Sequence, residues 1–537
     1  MESEAFRVRR YERFVQSRTS PLAGSSPPVS QTVALKDLPS KYTVFSESAR
    51  IPLSSSLHNK QLKLGERPTA KYISECQCIS IEELSDFLLL TFGILQRKLT
   101  ITWNSERRRL ARHADSTYSR ASASGGGLYP IDAYVVSQNC PQLPPGVYHY
   151  DVAHNELVRV RIGNFETVTR SALNLPQVDS SDFFVVLAAR FWKSLFKYKN
   201  LTYQLVMQDA GTSMGSIEVV AYALGWDATI LYWFQDALLC SLLGMDIRCE
   251  VPLAVLAMKT NPCKIHTSNH YRLANSENER LPFVHAQIHK RPHNCSLPPL
   301  LRQIHEEMLL DSVVRPEPPF PLRDELALAK NRSDRAVSGD LISLFCKRET
   351  SSGQFRREPP LEAEPLRQIL SFMTMGVQYQ TDVFGSHTGL SCVRISLILR
   401  NVKGVSDGVY SYHPSSSELS LENTRGIPSS LQSIYFLNNQ NLDQVSAVLI
   451  IVGKLEAALQ TFGARGVRLL NAEAGILAQR AYLASTVLSL GCAAALGFDP
   501  EQTCAITGID GVEEIPLLLI FLGHRTSKAC AYDFRLV

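Results

Sequence analysis

Ser122-Ala123-Ser124-Gly125-Gly126-Gly127-Leu128-Tyr129-Pro130, running directly into Ile131-Asp132-Ala133-Tyr134-Val135-Val136, is the stretch on which the fold turns. Three adjacent glycines let a backbone approach a flat ligand closely and adopt conformations closed to larger residues. The apolar run behind them reads as a strand that anchors the loop. Alone, the glycines would equally suit a tight turn feeding a strand. Their weight comes from a second, degraded copy near Gly389.

The second half of the chain repeats the first. Gly127-Leu128, Gly146-Val147-Tyr148, Tyr150 and Glu156-Leu157 recur 262 residues later as Gly389-Leu390, Gly408-Val409-Tyr410, Tyr412 and Glu418-Leu419. The offset then becomes 264. Asp209-Ala210-Gly211, Phe234, Gly244-Met245-Asp246 and Glu250-Val251-Pro252-Leu253 map onto Glu473-Ala474-Gly475, Phe498, Gly508-Ile509-Asp510 and Glu514-Ile515-Pro516-Leu517. Two fused like domains most simply pack as a pseudo-two-fold dimer with ligand sites at the shared interface.

At 537 residues, 45% hydrophobic and 20% charged, the chain is long enough for two cores and their linkers. A net charge of +4 calls for neither a nucleic-acid footprint nor a polybasic membrane patch. Apolar runs such as 515–522 fall short of the roughly 18–20 residues that a bilayer demands, and the Arg-rich N-terminus lacks a signal-peptide core, so a soluble, cytoplasmic protein is expected. Twelve cysteines without a C-x-x-C pair suit reduced thiols. Residues 1–62 read as a Ser/Pro-rich arm, 63–260 as the first domain, 261–322 as a linker and 323–537 as the second domain. Ser80-Ile81-Glu82-Glu83 is a capping box opening an amphipathic helix through Leu84, Phe87, Leu88 and Leu95, and a long helix is expected from about Leu205 to Leu224.

Arg-x-Ser/Thr-x-Arg/Lys before a helix, Ser-Gly-Gly-Leu-Tyr-Pro at the head of a strand, Gly-x-Tyr-x-Tyr, Lys-Tyr, Glu-Ala-Gly and Gly-Phe-Asp, in this order, resemble the nitroreductase-fold flavoproteins. More narrowly, they resemble the SagB/McbC-type dehydrogenases that oxidise azoline rings in ribosomal peptide natural products. The resemblance covers about residues 65–260 and 325–525. It implies an α+β fold: two tandem nitroreductase-like domains, each a mainly antiparallel sheet with flanking helices, forming an intramolecular pseudodimer. It also implies FMN held between the two halves, with its phosphate on one and its ring partly on the other.

Under that resemblance the halves have diverged in complementary ways. Domain two keeps Arg332-Ser333-Asp334-Arg335, Arg465, Arg468, Glu473-Ala474-Gly475, Gln479 and Gly497-Phe498-Asp499, while its glycine stretch has become Thr388-Gly389-Leu390-Ser391-Cys392. Domain one keeps Ser124, Gly126, Gly127, Leu128, Tyr129 and the Lys197-Tyr198 pair, with Leu201 and Gln204 in place of the two arginines and Trp233 in place of Gly497. Joining the phosphate side of domain two to the glycine strand of domain one gives one FMN per chain, although Arg67, Thr69 and Lys71 still resemble a phosphate clamp. Lys197 and Tyr198 are the implied acid–base pair; Thr461-Phe462 at the equivalent place cannot do that chemistry.

The plainer readings of these motifs stand beside this one. Arginines and a hydroxyl at a helix start suit a phosphate, or merely a capped, solvated helix. Lys197-Tyr198 alone would equally be an exposed pair. His285, His289, His293 and Cys295 suggest a metal, but Pro292 interrupts the helical spacing and no metal is expected. The implied function is FMN-dependent oxidation of thiazoline or oxazoline rings in a precursor peptide, in partnership with cyclodehydratase or synthetase subunits. The alternatives are an NAD(P)H-dependent nitro or enone reductase, a carrier-bound azoline oxidase, and a flavin-free scaffold subunit.

Overall fold

The structure, a computed structural model, describes residues 10, 39–46, 48–57, 60–68, 79–104, 109–113, 117–137, 140, 142–173, 181–260, 287–288, 296–311, 314–316, 337–351, 355–375, 379–383, 385–387, 392–424, 427–437, 439–526 and 531–535. Several sequence expectations fall outside these residues: Arg332, Ser333 and Arg335, Thr69 and Lys71, the degraded stretch 388–391, and His285, His289, His293 and Cys295.

Domain one is built on a sheet of β1 (Arg50–Pro52), β2 (Ile131–Ser137), β3 (Gly146–Asp151), β4 (Glu156–Ile162), β5 (Phe183–Arg190), β6 (Asp227–Leu231) and β7 (Glu250–Lys259). Two strands from the second half, β8 (Tyr379–Thr381) and β9 (Gly385–His387), complete it in the order β9-β8-β6-β7-β5-β2-β3-β4-β1. The pairing is antiparallel except for β6 with β8. β2 and β5 are buried along their whole length, which is why they read as continuous apolar runs rather than alternating ones.

Domain two repeats the plan with β10 (Val393–Leu399), β11 (Gly408–His413), β12 (Glu418–Asn423), β13 (Ala447–Lys454), β14 (Gly491–Ala495) and β15 (Glu514–Arg525). Here β15-β13-β10-β11-β12 are adjacent, and β14 pairs with β15. The C-terminal strand β16 (Ala531–Arg535) leaves this sheet and pairs antiparallel with residues 96–100 of domain one. Each half therefore carries strands of the other. That exchange left no mark in the sequence, because β8, β9 and β16 are short or polar and their partners are remote in the chain.

The helices sit where their sequences place them. α1 (Ile81–Phe92) starts at the Ser80 capping box, with Glu83 N–H donating to Ser80 Oγ at 3.1 Å and Ser80 N–H to Glu83 Oε2 at 3.0 Å. It ends before Gly93, so Leu95 packs from beyond the helix rather than within it. α2 (Trp192–Tyr198) and α3 (Thr202–Ala223) follow β5, and α4 (Asp236–Leu243) follows β6. Their counterparts α5 (Leu455–Phe462) and α6 (Gly466–Val487) follow β13.

α3 is buried at 21 of its 22 positions and α6 at 20 of 22, the signature of helices enclosed by protein on all sides. They pack against each other at the two-fold-related glycines: a Cβ on Gly211 would collide with the Ala472 carbonyl, and one on Gly475 with the Gln208 carbonyl. This is the seam of the pseudodimer, and one apolar core runs through both halves across it.

Candidate functional site

The glycine stretch forms a single 3-10 turn, Gly125–Gly127, at the head of β2. Gly126 and Gly127 have φ of 63° and 65°, and Tyr129 one of 48°, a conformation side-chain-bearing residues rarely adopt. Side-chain bonds hold the loop, among them one from Thr212 Oγ1–H to the Ala123 carbonyl at 2.6 Å. Ser124 Oγ–H donates to Asp209 Oδ2 at 2.5 Å and accepts the Tyr129 N–H at 2.9 Å. Gly125 N–H donates to Asp209 Oδ1 at 3.0 Å, and Ala123 N–H donates across the seam to Gln479 Oε1 at 3.1 Å. Gln479 Nε2 donates in turn to the Ala121 carbonyl at 3.0 Å. Gln479, expected to touch the cofactor, is thus a clamp from domain two on the loop of domain one.

Lys197 and Tyr198, in the last turn of α2, reach the loop. A Cβ on Gly126 would lie 2.5 Å from Lys197 Nζ and against Tyr198 Oη, so both functional atoms crowd over a position that only glycine leaves free. Among the described residues, no atom beyond the chain neighbours lies within 4 Å of the Cβ position of Gly127. Partial desolvation lowers the Lys197 ammonium below the usual lysine range. Burial raises the Tyr198 phenol, with smaller contributions from Asp209 and Tyr435. Asp209 is buried and pushed up to about 7 by desolvation, against the opposing bonds from Ser124 and Gly125.

Domain two supplies the far wall. Tyr435 bridges to Phe498, and a Cβ on Gly497 would meet Leu437 at 3.0 Å and Tyr435 at 3.7 Å. The structure therefore brings together the glycine loop, Lys197-Tyr198 and the Gly497–Phe498 turn, the last with its Phe498 side chain in the domain-two core.

Arg465 and Arg468 lie elsewhere. Arg465 donates to Asp236 at 2.9 Å and to the carbonyls of Tyr232 and Met308; Arg468 donates to Asp236 at 3.0 Å and to the Pro252 carbonyl. Both are almost wholly buried. The reason is positional. They follow α5 as Leu201 and Gln204 follow α2, so the pseudo-symmetry puts them in the second site, where Asp236 neutralises them. In that second site Trp233 stands where the first has Gly497, and it packs on Phe462 with ring centroids 6.3 Å apart. Both rings are buried. Among the described residues a flat ring thus has open space at the first site over Gly127, whereas the Trp233 and Phe462 side chains pack together at the second. FMN fits the residues of the first site on this ground.

Asp209, Tyr435 and Gln479 carry more of the geometry than sequence reading suggested. Asp209 was visible as half of a repeated motif; Tyr435 had no local signal, because its place is set by tertiary packing.

The nitroreductase family model matches residues 102–258 and 347–524. The chain is 32% identical over 173 residues to MJ1384 of Methanocaldococcus jannaschii, a protein named for the nitroreductases, covering 31% of this chain and 82% of that one. It is 28% identical over 142 residues to the microcin B17-processing protein McbC of Escherichia coli, covering 25% of this chain and 52% of the relative, so it spans about half of that protein's length. A crystallised nitroreductase-type protein of Anabaena variabilis superimposes with a TM-score of 0.69 over 96% of this chain and 99% of its own, at 21% identity, and shares the fold. The family model covers most of the chain, once on each half, and on this ground the chain belongs to the nitroreductase family, within which it resembles the SagB/McbC-type members.

Proposed function

We propose that the chain is an FMN-dependent oxidoreductase that oxidises thiazoline or oxazoline rings in a ribosomally made peptide, using one composite site per chain. The observation that carries this reading is the convergence of Lys197 Nζ and Tyr198 Oη on Gly126, beside the space left open at Gly127. Bound FMN would supply the hydride acceptor. The chain's own residues do the rest. Ser124, Gly126, Gly127, Leu128 and Tyr129 shape one wall, with Gln479 and Asp209 fixing the loop from behind. Desolvation lowers the Lys197 ammonium, which suits the side chain to accept the ring proton, with the Tyr198 phenol, raised by burial, remaining a donor beside it. Arg332, Ser333 and Arg335 are proposed for the flavin phosphate.

The likeness to a microcin-processing protein supports a modified peptide as substrate and synthetase subunits as partners. Among the described residues no helix is long and apolar enough to cross a membrane; a cytoplasmic location is part of the proposal. The test is oxidation of an azoline-bearing peptide by the purified chain, followed by the two-dalton mass loss, with Lys197→Ala and Tyr198→Phe alongside. Turnover abolished in the first variant and slowed in the second is expected. Turnover of a nitroarene with NADPH, with the azoline peptide untouched, would replace this reading by nitroreduction, which the name of the archaeal relative favours.

A further inference from the structure

A small cleft on the inner side of the glycine loop, about 10 Å³, is lined by Arg120, Ser122, Ser124, Tyr129, Asp209 and Ser213 among others. Arg120 is 6% exposed. Among the described residues its guanidinium has no carboxylate partner and no hydrogen-bond acceptor. Its neighbours are aromatic: it stacks 4.2 Å from the Tyr129 ring centroid and 5.9 Å from that of Tyr42. Lys41, on the N-terminal arm, brings a second cation. Its ammonium lies 5.5 Å from the Tyr118 ring and 5.9 Å from Tyr42, and Arg120 is close enough to disfavour its charge. A third comes from domain two, where Arg348 Nη2 donates to the Arg120 carbonyl and its Nε has no partner.

Two buried cations, Arg120 and Arg348, without a bonded carboxylate among the described residues are costly, and cation–π contacts attract charge without neutralising it; Lys41 is exposed and adds its charge from the surface. The nearby carboxylates are committed. Asp132 bonds Arg190, Lys193 and Thr43; Asp209 bonds Ser124 and Gly125. The wall residue Tyr129 is itself held in a left-handed conformation, the kind of strain that persists where function over-determines the backbone.

We propose that Arg120 and Lys41, walled by Tyr42, Tyr118 and Tyr129, form an oxyanion subsite beside the glycine loop that receives a carboxylate or phosphate group of a bound molecule. The arm residues 41–42 are then part of a binding site, and the pseudo-equivalent cleft of domain two lacks it, because the residue 262 positions after Arg120 is Asp382, which bonds Arg315 and the Tyr232 and Trp233 amides.

The test is calorimetric titration of the full chain, at low salt, with benzoate, phenyl phosphate and benzamide; it needs neither flavin nor turnover, so it stands or falls apart from the redox reading. The oxyanions should bind at least tenfold more tightly than benzamide, and Lys41→Ala and Arg120→Gln should each weaken them tenfold or more, with Arg120→Lys retaining part. Because Arg120 is buried, Lys41→Ala decides the matter if Arg120→Gln does not fold. FMN affinity unchanged in Lys41→Ala, with benzoate weakened, assigns the subsite to a substrate carboxylate; FMN and phenyl phosphate weakened together assign it to the flavin phosphate. Equal binding of benzoate and benzamide, or oxyanion affinities unchanged in Lys41→Ala, would overturn the proposal.

Discussion

Gly126→Ala tests the geometry of the site through a single methyl group. Gly126 has φ of 63°, so alanine there costs roughly 1–2 kcal/mol of left-handed strain. The new Cβ would sit 2.5 Å from Lys197 Nζ and against Tyr198 Oη. Both are ends of long side chains, so they would swing away by about 1 Å at little further cost in stability. Displacement on that scale costs about 10²-fold in rate when the displaced atoms do the chemistry. Gly127→Ala is the control: its φ is 65°, the strain is the same, and among the described residues its Cβ meets no atom beyond the chain neighbours within 4 Å. Thermal unfolding should therefore show both variants lowered alike, by about 1–2 °C for a chain of 537 residues that unfolds as one core. Turnover per bound flavin should fall about 100-fold in Gly126→Ala, whereas Gly127→Ala should chiefly lose flavin, because its methyl projects into the open space. If the two variants have equal turnover per bound flavin, Lys197 and Tyr198 are not the groups that act over this loop.

Asp236→Ala should destabilise the chain by about 3–5 kcal/mol in denaturant titration, because it leaves the Arg465 and Arg468 guanidiniums buried without an anion. The two arginines hold the Asp236 carboxyl below its usual range against desolvation, so the stability it contributes is present above the unfolded pKa of about 4 and is lost as pH falls through the lower folded value. Asp209 has the opposite sign. Its folded pKa is pushed up to about 7, so its ionisation penalty is absent below pH ~4, grows as pH rises, and is complete above 7; Asp209→Asn should flatten this part of the stability profile while keeping one oxygen acceptor, for the Gly125 N–H, and giving up the one that Ser124 uses. For Lys197, turnover should rise with pH to a plateau set by its lowered pKa, and a pH–rate profile of Lys197→Ala should lack that limb.

The fold was legible wherever the signal was local or repeated. The Ser80 capping box fixed the start of α1, and the 262- and 264-residue offsets gave the tandem architecture; that Gly211 and Gly475 meet across the seam came from the structure. The exchanged strands were not legible, because β8, β9 and β16 carry no apolar pattern of their own and acquire their partners only in the folded pseudodimer. At the site, glycine positions and the Lys-Tyr pair could be read because their chemistry is in the residue type. The placement of Arg465 and Arg468 could not. Sequence showed the arginines retained in domain two; only the three-dimensional two-fold shows that they face Asp236 and the Trp233–Phe462 plug rather than the glycine loop. Tyr435 and Arg120 depend likewise on neighbours far away in the chain.

The central claim is one composite flavin site per chain, open at Gly127 and closed by Trp233 and Phe462 at its pseudo-symmetric counterpart. Flavin released from the purified, denatured protein after reconstitution with excess FMN measures it directly. The account predicts about one FMN per chain; two would show that the Trp233–Phe462 plug does not close the second site, and none would return the chain to a scaffold role.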